Sequence, residues 1–288
     1  MSDRLKLLFV LLVAACIGGV IWSQQPFSNV RRLTFLAVGQ GDCTVWQDGD
    51  AVILIDAGPK SREGYDAGER IVLPKLRKMG VRDVSAIIIT HPDSDHIGGL
   101  GALAKRFRDA KIVASAGFRE DEDMLWWLKE AKVDPARVVW IEDRTRIKLE
   151  HSSVQLAAPP ITPGTSNNDG SLFVRIEHGP GSAVLTGDAS MDTEEAMQRR
   201  LKWTGQILKV GHHGSRTSTS EAFVRAVGPE WAVISCGRDN RFDHPHPSVV
   251  EVLERQKVGL FRTDLQGDVS FDTWAEGFAP SLTPLAAK

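Results

Sequence analysis

Cysteine is scarce in this chain, three in 288 residues, and three cannot build a disulfide framework. Cys16 falls in the opening segment, while Cys43 and Cys236 stand at apolar or glycine-containing strand ends and read as small buried thiols. A bridge between those two stays open only in an oxidising compartment. An excess of charge of either sign is missing as well: 35 Lys and Arg against 37 Asp and Glu leave a formal net charge of -2. No basic field across the chain advertises a nucleic-acid partner. Low-complexity tracts, internal repeats and a composition break that would mark a second domain are all absent, which excludes solenoid and disordered classes. After residue 25 there is no long hydrophobic run, so the sequence holds no multi-span membrane region. What remains is an ordinary composition, 42% hydrophobic and 25% charged, enough for one large core in a domain of about 250 residues.

The one long apolar run comes first. Arg4 and Lys6 precede an uncharged stretch from Leu7 to Trp22, and Ser23, Gln24 and Gln25 follow it. That is the pattern of an export signal or a short membrane anchor, although the run is shorter than the roughly 20 residues of a spanning helix. Val13-Ala14-Ala15-Cys16 resembles a lipoprotein cleavage box, while continuation of the run through Ile17 to Trp22 favours an uncleaved anchor. The expected organisation is a signal or anchor over 1–25, a linker over 26–32, one main domain over 33–274 and a loose, Pro- and Ala-rich tail over 275–288. The domain is expected on the extracytoplasmic side, membrane-anchored, with lipid at Cys16 as an alternative attachment.

Between these ends, short apolar strands alternate with amphipathic helices. Strands are predicted at Leu33–Val38, Thr44–Trp46 and Ala51–Asp56, the last two joined by the hairpin signal Asp48-Gly49-Asp50. A helix over Val72–Met79 ends at Gly80, and Ala86–Thr90 is apolar enough to be buried on both faces. Further strands are predicted at Val154–Ala157, Leu172–Ile176, Ala183–Thr186, Ile207–Val210, Trp231–Ser235 and Val269–Phe271. Helices fill Glu120–Lys132, Thr193–Leu201, Ser220–Val227 and Ser248–Gln256, and in the first of these Trp126 and Trp127 read as core packing, with a contact surface as the alternative. This mixed order fits an α/β (α+β) domain whose sheets are covered by helices on their outer faces.

Chemistry concentrates where apolar strands stop. His91-Pro92-Asp93-Ser94-Asp95-His96-Ile97-Gly98-Gly99 follows the buried strand and places four metal-ligand side chains within six residues, ahead of a helix beginning near Gly98. A tight loop can aim His91 and Asp93 at one point and Asp95 and His96 at another, which would set two cations side by side. Leu185-Thr186-Gly187-Asp188 puts a lone carboxylate at a strand end. Val210-Gly211-His212-His213-Gly214-Ser215 puts adjacent histidines between glycines after another strand, and Asp243-His244-Pro245-His246-Pro247 precedes a helix. Six of the 8 histidines lie in these three His-bearing loops. Taken singly, each later motif is also a turn, a solvated pair or a stiff loop; their joint placement is what points to a metal site.

In this order the motifs resemble the metallo-β-lactamase superfamily, over roughly Leu33 to Phe271. More narrowly they resemble the hydrolase domain of the ComEC competence family, through Val38-Gly39-Gln40-Gly41-Asp42, Leu54-Ile55-Asp56-Ala57-Gly58, the His91–Gly99 loop, Thr186-Gly187-Asp188 and His212-His213-Gly214-Ser215. The resemblance implies a four-layer αββα sandwich with metals in a cleft at the sheet edges. It makes His91 and Asp93 ligands of one divalent ion and Asp95 and His96 ligands of the other, with Asp188 bridging and one of His212 and His213, preferably His213, completing the ligand shell of the second ion. Asp56 would steady the signature loop, and Asp42 and His244 would line the cleft. Asp93 stands where the superfamily usually has a second His, and Asn167, Asn168 and Ser171 stand where it usually supplies a third. Both departures also occur in the ComEC-like branch. Oxygen donors in place of imidazole shift preference from zinc towards manganese, so a tight second site and an exchangeable first site are expected, with Zn or Mn as the ions.

The implied chemistry is attack of a metal-bridging hydroxide, oriented by Asp95, on an ester, with a proton for the leaving oxygen from water, His212 or His244. Ser215 is expected in the substrate-facing shell with Asn168 and Ser171. The preferred substrate is a phosphodiester, DNA by the ComEC resemblance, with Arg216, Arg225, Arg238 and Arg241 as a local positive rim. An envelope esterase acting on small phosphodiesters, and a non-catalytic envelope binding protein on the same fold, are the competing readings. A lactamase or thioesterase is disfavoured by the missing histidines.

Overall fold

The computed structural model describes residues 30–61, 63–282 and 285. The anchor expected over 1–25, Cys16 and most of the linker lie outside the described residues. No helix among the described residues is long and apolar enough to cross a membrane.

The chain first lays down β1 (Arg31–Phe35), β2 (Thr44–Asp48), β3 (Ala51–Ile55), β4 (Ala86–Ile88), β5 (Lys111–Ser115) and β6 (Val138–Ile141). It then crosses to β7 (Arg144–Lys148), β8 (Ser152–Ala157), β9 (Phe173–His178), β10 (Gly181–Leu185), β11 (Ile207–Lys209), β12 (Trp231–Ile234) and β13 (Gly259–Arg262), and returns as β14 (Val269–Trp274) and β15 (Gly277–Pro280). One sheet has the order β15-β14-β1-β2-β3-β4-β5-β6 and the other β13-β12-β11-β10-β9-β8-β7. The β2–β3 hairpin closes through Gly49 and Asp50 with Asp48 opposite Ala51, and Gly49 adopts the positive φ of 63° that such a turn requires.

Period-two alternation assigns the faces. In β3, Ile53 and Ile55 enter the core between the sheets with Phe35, Trp46, Val174 and Phe271, while Val52 and Leu54 pack outward. That outward core is covered by helices over Gly68–Lys78, Leu100–Arg106 and Glu122–Glu130. On the far side, Leu208 and Val210 pack outward beneath the helices Met191–Leu201, Glu221–Val227 and Pro247–Arg255. Three cores separate four layers, the αββα sandwich. Cys43 and Cys236 are free and buried.

The structure departs from expectation in places that share a physical cause. Residues 275–288 were expected to be loose, yet Gly277–Pro280 pair with β14 and Leu285 bridges to Leu260. Phe278 explains the strand: it is buried in the inter-sheet core, edge-on to Trp46 at 5.9 Å, a contact that Pro- and Ala-rich surroundings conceal. The tryptophan pair divides, with Trp127 packed against the outer core and Trp126 55% exposed.

Candidate metal centre

Apart from the Val38–Asp42 segment, which follows antiparallel β1, every motif singled out above leaves the C-terminal end of a strand with a parallel neighbour, and these ends share one edge of the sandwich, the position where open α/β sheets hold ligands. Asp56 follows β3, the His91–His96 loop follows β4, Asp188 follows β10, His212 and His213 follow β11, and His244 follows β12.

Asp56 fixes the signature loop. Its carboxylate accepts the Thr90 N–H at 2.8 Å and the Thr90 hydroxyl at 2.9–3.0 Å, and meets Nδ1 of His96 at 2.8 Å. Donation from Nδ1 to this carboxylate turns Nε2 of His96 away from Asp56 and towards the cluster. His213 is set the same way from the other sheet, because its Nδ1 lies 2.9 Å from the Ser235 carbonyl, which can only accept. The two Nε2 atoms therefore face each other across 3.3 Å. Around them stand Asp188, 3.2 Å from His96 and 3.3 Å from His213, and Asp95, 3.2 Å from His213. Burial opposes charge on His96, and Asp188 and Asp56 outweigh it, holding that imidazole well above its usual range. For His213 the same contest, with Asp188 and Asp42 prevailing, carries it up to about 10. Burial also resists ionisation of Asp95, but the His213 contact and neighbouring imidazoles keep its carboxyl below the usual range.

His91 is wholly buried beside this cluster, its ring 4.1 Å from that of His96. Nδ1 meets the hydroxyls of Thr90 and Ser171 at 3.0 and 3.3 Å. Burial, reinforced by His96, pushes His91 down to about 4, so it is a neutral imidazole. Asp93 lies 3.8 Å from Nε2 of His91 and accepts a 2.9 Å hydrogen bond from Asn167, and burial raises its pKa. Ser171 also accepts the Asp188 N–H at 3.1 Å. His212 borders the cluster, 3.8 Å from Asp188 and 3.5 Å from the Asn168 amide. Ser215 is buried; its N–H donates to the His212 carbonyl at 2.8 Å, and its hydroxyl reaches the His212 ring through the Thr217 hydroxyl, at 2.9 and then 3.4 Å. His244 closes the rim, its ring 5.7 Å from His212 and 6.4 Å from His213.

The donor set fits a cation. Among the described residues, Nε2 of His91 is buried without a hydrogen-bond partner, a costly condition for a polar atom unless an ion takes its lone pair, and Oδ1 of Asp188 has only the His96 Nε2 beside it at 3.2 Å. Asp42, His96, Asp188 and His213 offer ligand atoms within 4.8 Å of one another. Of these four, Asp42 sits on the wrong side of the imidazoles for a shared ion, 3.9 Å from Nδ1 of both His96 and His213, whereas Asp188 faces their Nε2 atoms. Expected to line the cleft, Asp42 is instead buried behind it and paired with Lys209.

Lys209 and Glu194 escaped the sequence reading. In β11, Ile207 faces the inter-sheet core and Leu208 faces outward, so alternation turns Lys209 inward, fully buried against Asp42. A lysine within the run Ile207–Val210 was the available signal. Glu194, wholly buried, accepts from the Thr186 hydroxyl at 3.0 Å and the Thr219 N–H at 2.5 Å. It thereby ties the strand end before Asp188 to the loop carrying His212 and His213; its helix position carried no signal.

The metallo-beta-lactamase superfamily model matches residues 36–238. ComE operon protein 3 of Bacillus subtilis (strain 168) is 29% identical over 259 residues, which are 85% of this chain and 33% of that protein. Recombination protein 2 of Haemophilus influenzae is 31% identical over 250 residues, 87% of this chain and 30% of that protein. The chain thus spans about a third of the length of the curated relatives it matches. Among solved structures, the metallo-beta-lactamase fold protein YhfI from Bacillus subtilis aligns with a TM-score of 0.53 at 13% identity, covering 80% of this chain and 95% of that one. Metallo-beta-lactamase SMB-1 aligns at 0.50 and 17% identity, covering 81% and 96%. At such identities the likeness is one of fold.

Proposed function

The chain belongs to the metallo-β-lactamase superfamily, and from that membership we propose that this metal-dependent hydrolase is a phosphodiesterase acting on nucleic acid. One observation carries the reading: His96 and His213 face each other across 3.3 Å, with Asp188 3.2 and 3.3 Å from them and Asp95 3.2 Å from His213, beside a third His and a third Asp, His91 and Asp93, at the rim of the sandwich. His96, His213, Asp188 and Asp95 would hold one divalent ion, and His91, Asp93 and Asp188 would hold the other, Zn or Mn by donor type. When bound, such ions acidify water and offset the charge that develops on a phosphoryl oxygen. The chain's own contribution is orientation: Asp56 and the Ser235 carbonyl fix which imidazole nitrogen faces the cluster, and Asn167 holds Asp93 in place. Asp95, part-exposed at the cluster, is the carboxylate placed to orient an attacking water. His212 and His244 line the approach. Oxygen-rich ligation and relatives named for competence and recombination support a DNA-type substrate. In this reading the domain works on the extracytoplasmic face, held by its first segment.

The test is hydrolysis of plasmid and single-stranded DNA beside a small chromogenic phosphodiester, by wild type and Asp95→Ala. Release of nucleotides that falls at least 100-fold in the variant, at unchanged thermal stability, is expected, since general-base and orienting groups contribute about 10²–10⁴-fold. Turnover of the small ester alone would transfer the assignment to an envelope esterase. Undiminished turnover by Asp95→Ala would refute the role given to it, and no turnover of any ester by metal-loaded protein would leave the binding-protein reading.

A further inference from the structure

Flat groups lead outward from the metal cluster in sequence. His213 stacks with His244, centroids 6.4 Å apart and planes 28° from parallel. His244 stacks with Phe242 at 5.7 Å and 25°, and the Arg241 guanidinium lies 4.8 Å over the Phe242 ring. Phe242 is 49% exposed, so a large ring stands in solvent at the mouth of the site rather than in a core. The loop presenting it is rigidly held. Asn240 donates to the carbonyls of Gly237 and His244 and accepts from the N–H groups of Phe242 and His244, at 2.6–3.2 Å. His246 N–H donates to the Gly214 carbonyl at 2.8 Å, fastening the loop to the metal-binding turn. Asp239 and Asp243 both adopt positive φ, 50° and 55°, a conformation that costs a non-glycine residue energy and persists only where surroundings impose it.

We propose that Phe242 and the Arg241 guanidinium over it, stacked on His244, form a platform for an unpaired nucleobase, holding a single-stranded nucleic acid with a neighbouring phosphodiester over the metal centre. The proposal rests on the phosphodiesterase reading above and names what that site recognises. Charge does not select the ligand, because Arg238 and Arg241 are answered within the loop by Asp239 and Asp243. Given a phosphodiester of nucleic acid at the metal centre, the ring meets a base, since every base has a π-face and stacking on an aromatic side chain is worth about 1–3 kcal/mol per base. Binding by this route accepts any sequence.

The experiment compares the full metal-loaded chain with Phe242→Ala and Phe242→Trp on a single-stranded DNA 12-mer and on an abasic strand of equal length, reading kcat/KM. Wild type is expected to prefer the base-containing strand, and Phe242→Ala to reduce that preference about 10-fold, mainly through KM, as loss of one stacked base requires; Phe242→Trp is expected to restore it. Equal treatment of both strands by wild type, or a preference that Phe242→Ala leaves intact, overturns the platform while the phosphodiesterase stands. If wild type cuts neither strand, the phosphodiesterase reading fails, and anisotropy of the labelled 12-mer decides the platform alone: about 10-fold weaker binding by Phe242→Ala supports it and equal binding overturns it.

Discussion

Glu194 shows how a single residue can hold a site it never touches. Burial pushes its carboxyl up to about 8, against hydrogen bonds from Thr219 and Thr186 and the charge of Lys209, which pull the other way. From pH 4.5 to about 8 the folded chain keeps a proton that the unfolded chain has released, so this residue makes stability fall as pH rises through that window. The slope from one group is at most about 1.4 kcal/mol per pH unit. Glu194→Gln can still accept the Thr219 N–H and can donate its amide to the Thr186 hydroxyl, without the titration, and is expected to flatten the fall, read as urea unfolding free energy from pH 5 to 8; matching slopes for variant and wild type would remove Glu194 from the account. Glu194→Ala is expected to cost at least about 2 kcal/mol, through a cavity and an orphaned Thr219 N–H. The histidines and aspartates of the centre were legible because several sit together in short loops. Glu194 and Lys209 were not, because burial gives them their roles and a helix or strand position does not report it.

Among the elements, the turn where the signature loop meets its helix has no room to spare. A Cβ on Gly99 would lie 2.2 Å from the Ala57 carbonyl oxygen and 2.8 Å from Cα of Gly68, all backbone that cannot yield. Gly99→Ala is expected to lower stability by about 1–3 kcal/mol or more, as overpacking does. Two positions along the same helix, a Cβ on Gly101 would meet nothing nearer than 3.7 Å, so Gly101→Ala is expected to be neutral or to stabilise by up to about 1 kcal/mol. Thermal unfolding of the pair checks this, and similar shifts in the two variants would contradict it. Strands flanked by helices and buried on both faces, such as β4, were readable as apolar runs. The edge strands were not: β7 reads Arg144-Thr145-Arg146-Ile147-Lys148 and is largely exposed, since an edge must repel pairing with other chains. Short β5 and β13 were likewise missed, their apolar stretches too brief to separate from helix ends.

For the whole molecule, the cost of the centre is spread over two sheets. Three carboxylates and three imidazoles are drawn together by strands from both layers, and a divalent ion bound only by the folded chain compensates that crowding. At 100 times its dissociation constant, Zn or Mn is expected to add about 2.7 kcal/mol, a rise in Tm of roughly 5–10 °C for a domain of this size that EDTA reverses. Two plateaus in a metal titration, the second lost first on chelation, would correspond to the tight and exchangeable sites; no change in Tm with either metal would count against the centre.

The sequence by itself determined the layered fold class, the strand ends at which the candidate site sits and most of the side chains that converge there, because alternation and clustering are local patterns. Tertiary structure alone decided that His213 faces His96 while His212 stands aside, that Asp42 backs the imidazoles with Lys209 rather than lining the cleft, and that Phe278 sews the tail into the core. Which nitrogen faces an ion and which carboxylate is buried depend on neighbours brought from the opposite sheet more than a hundred residues away, and no local pattern carries that information.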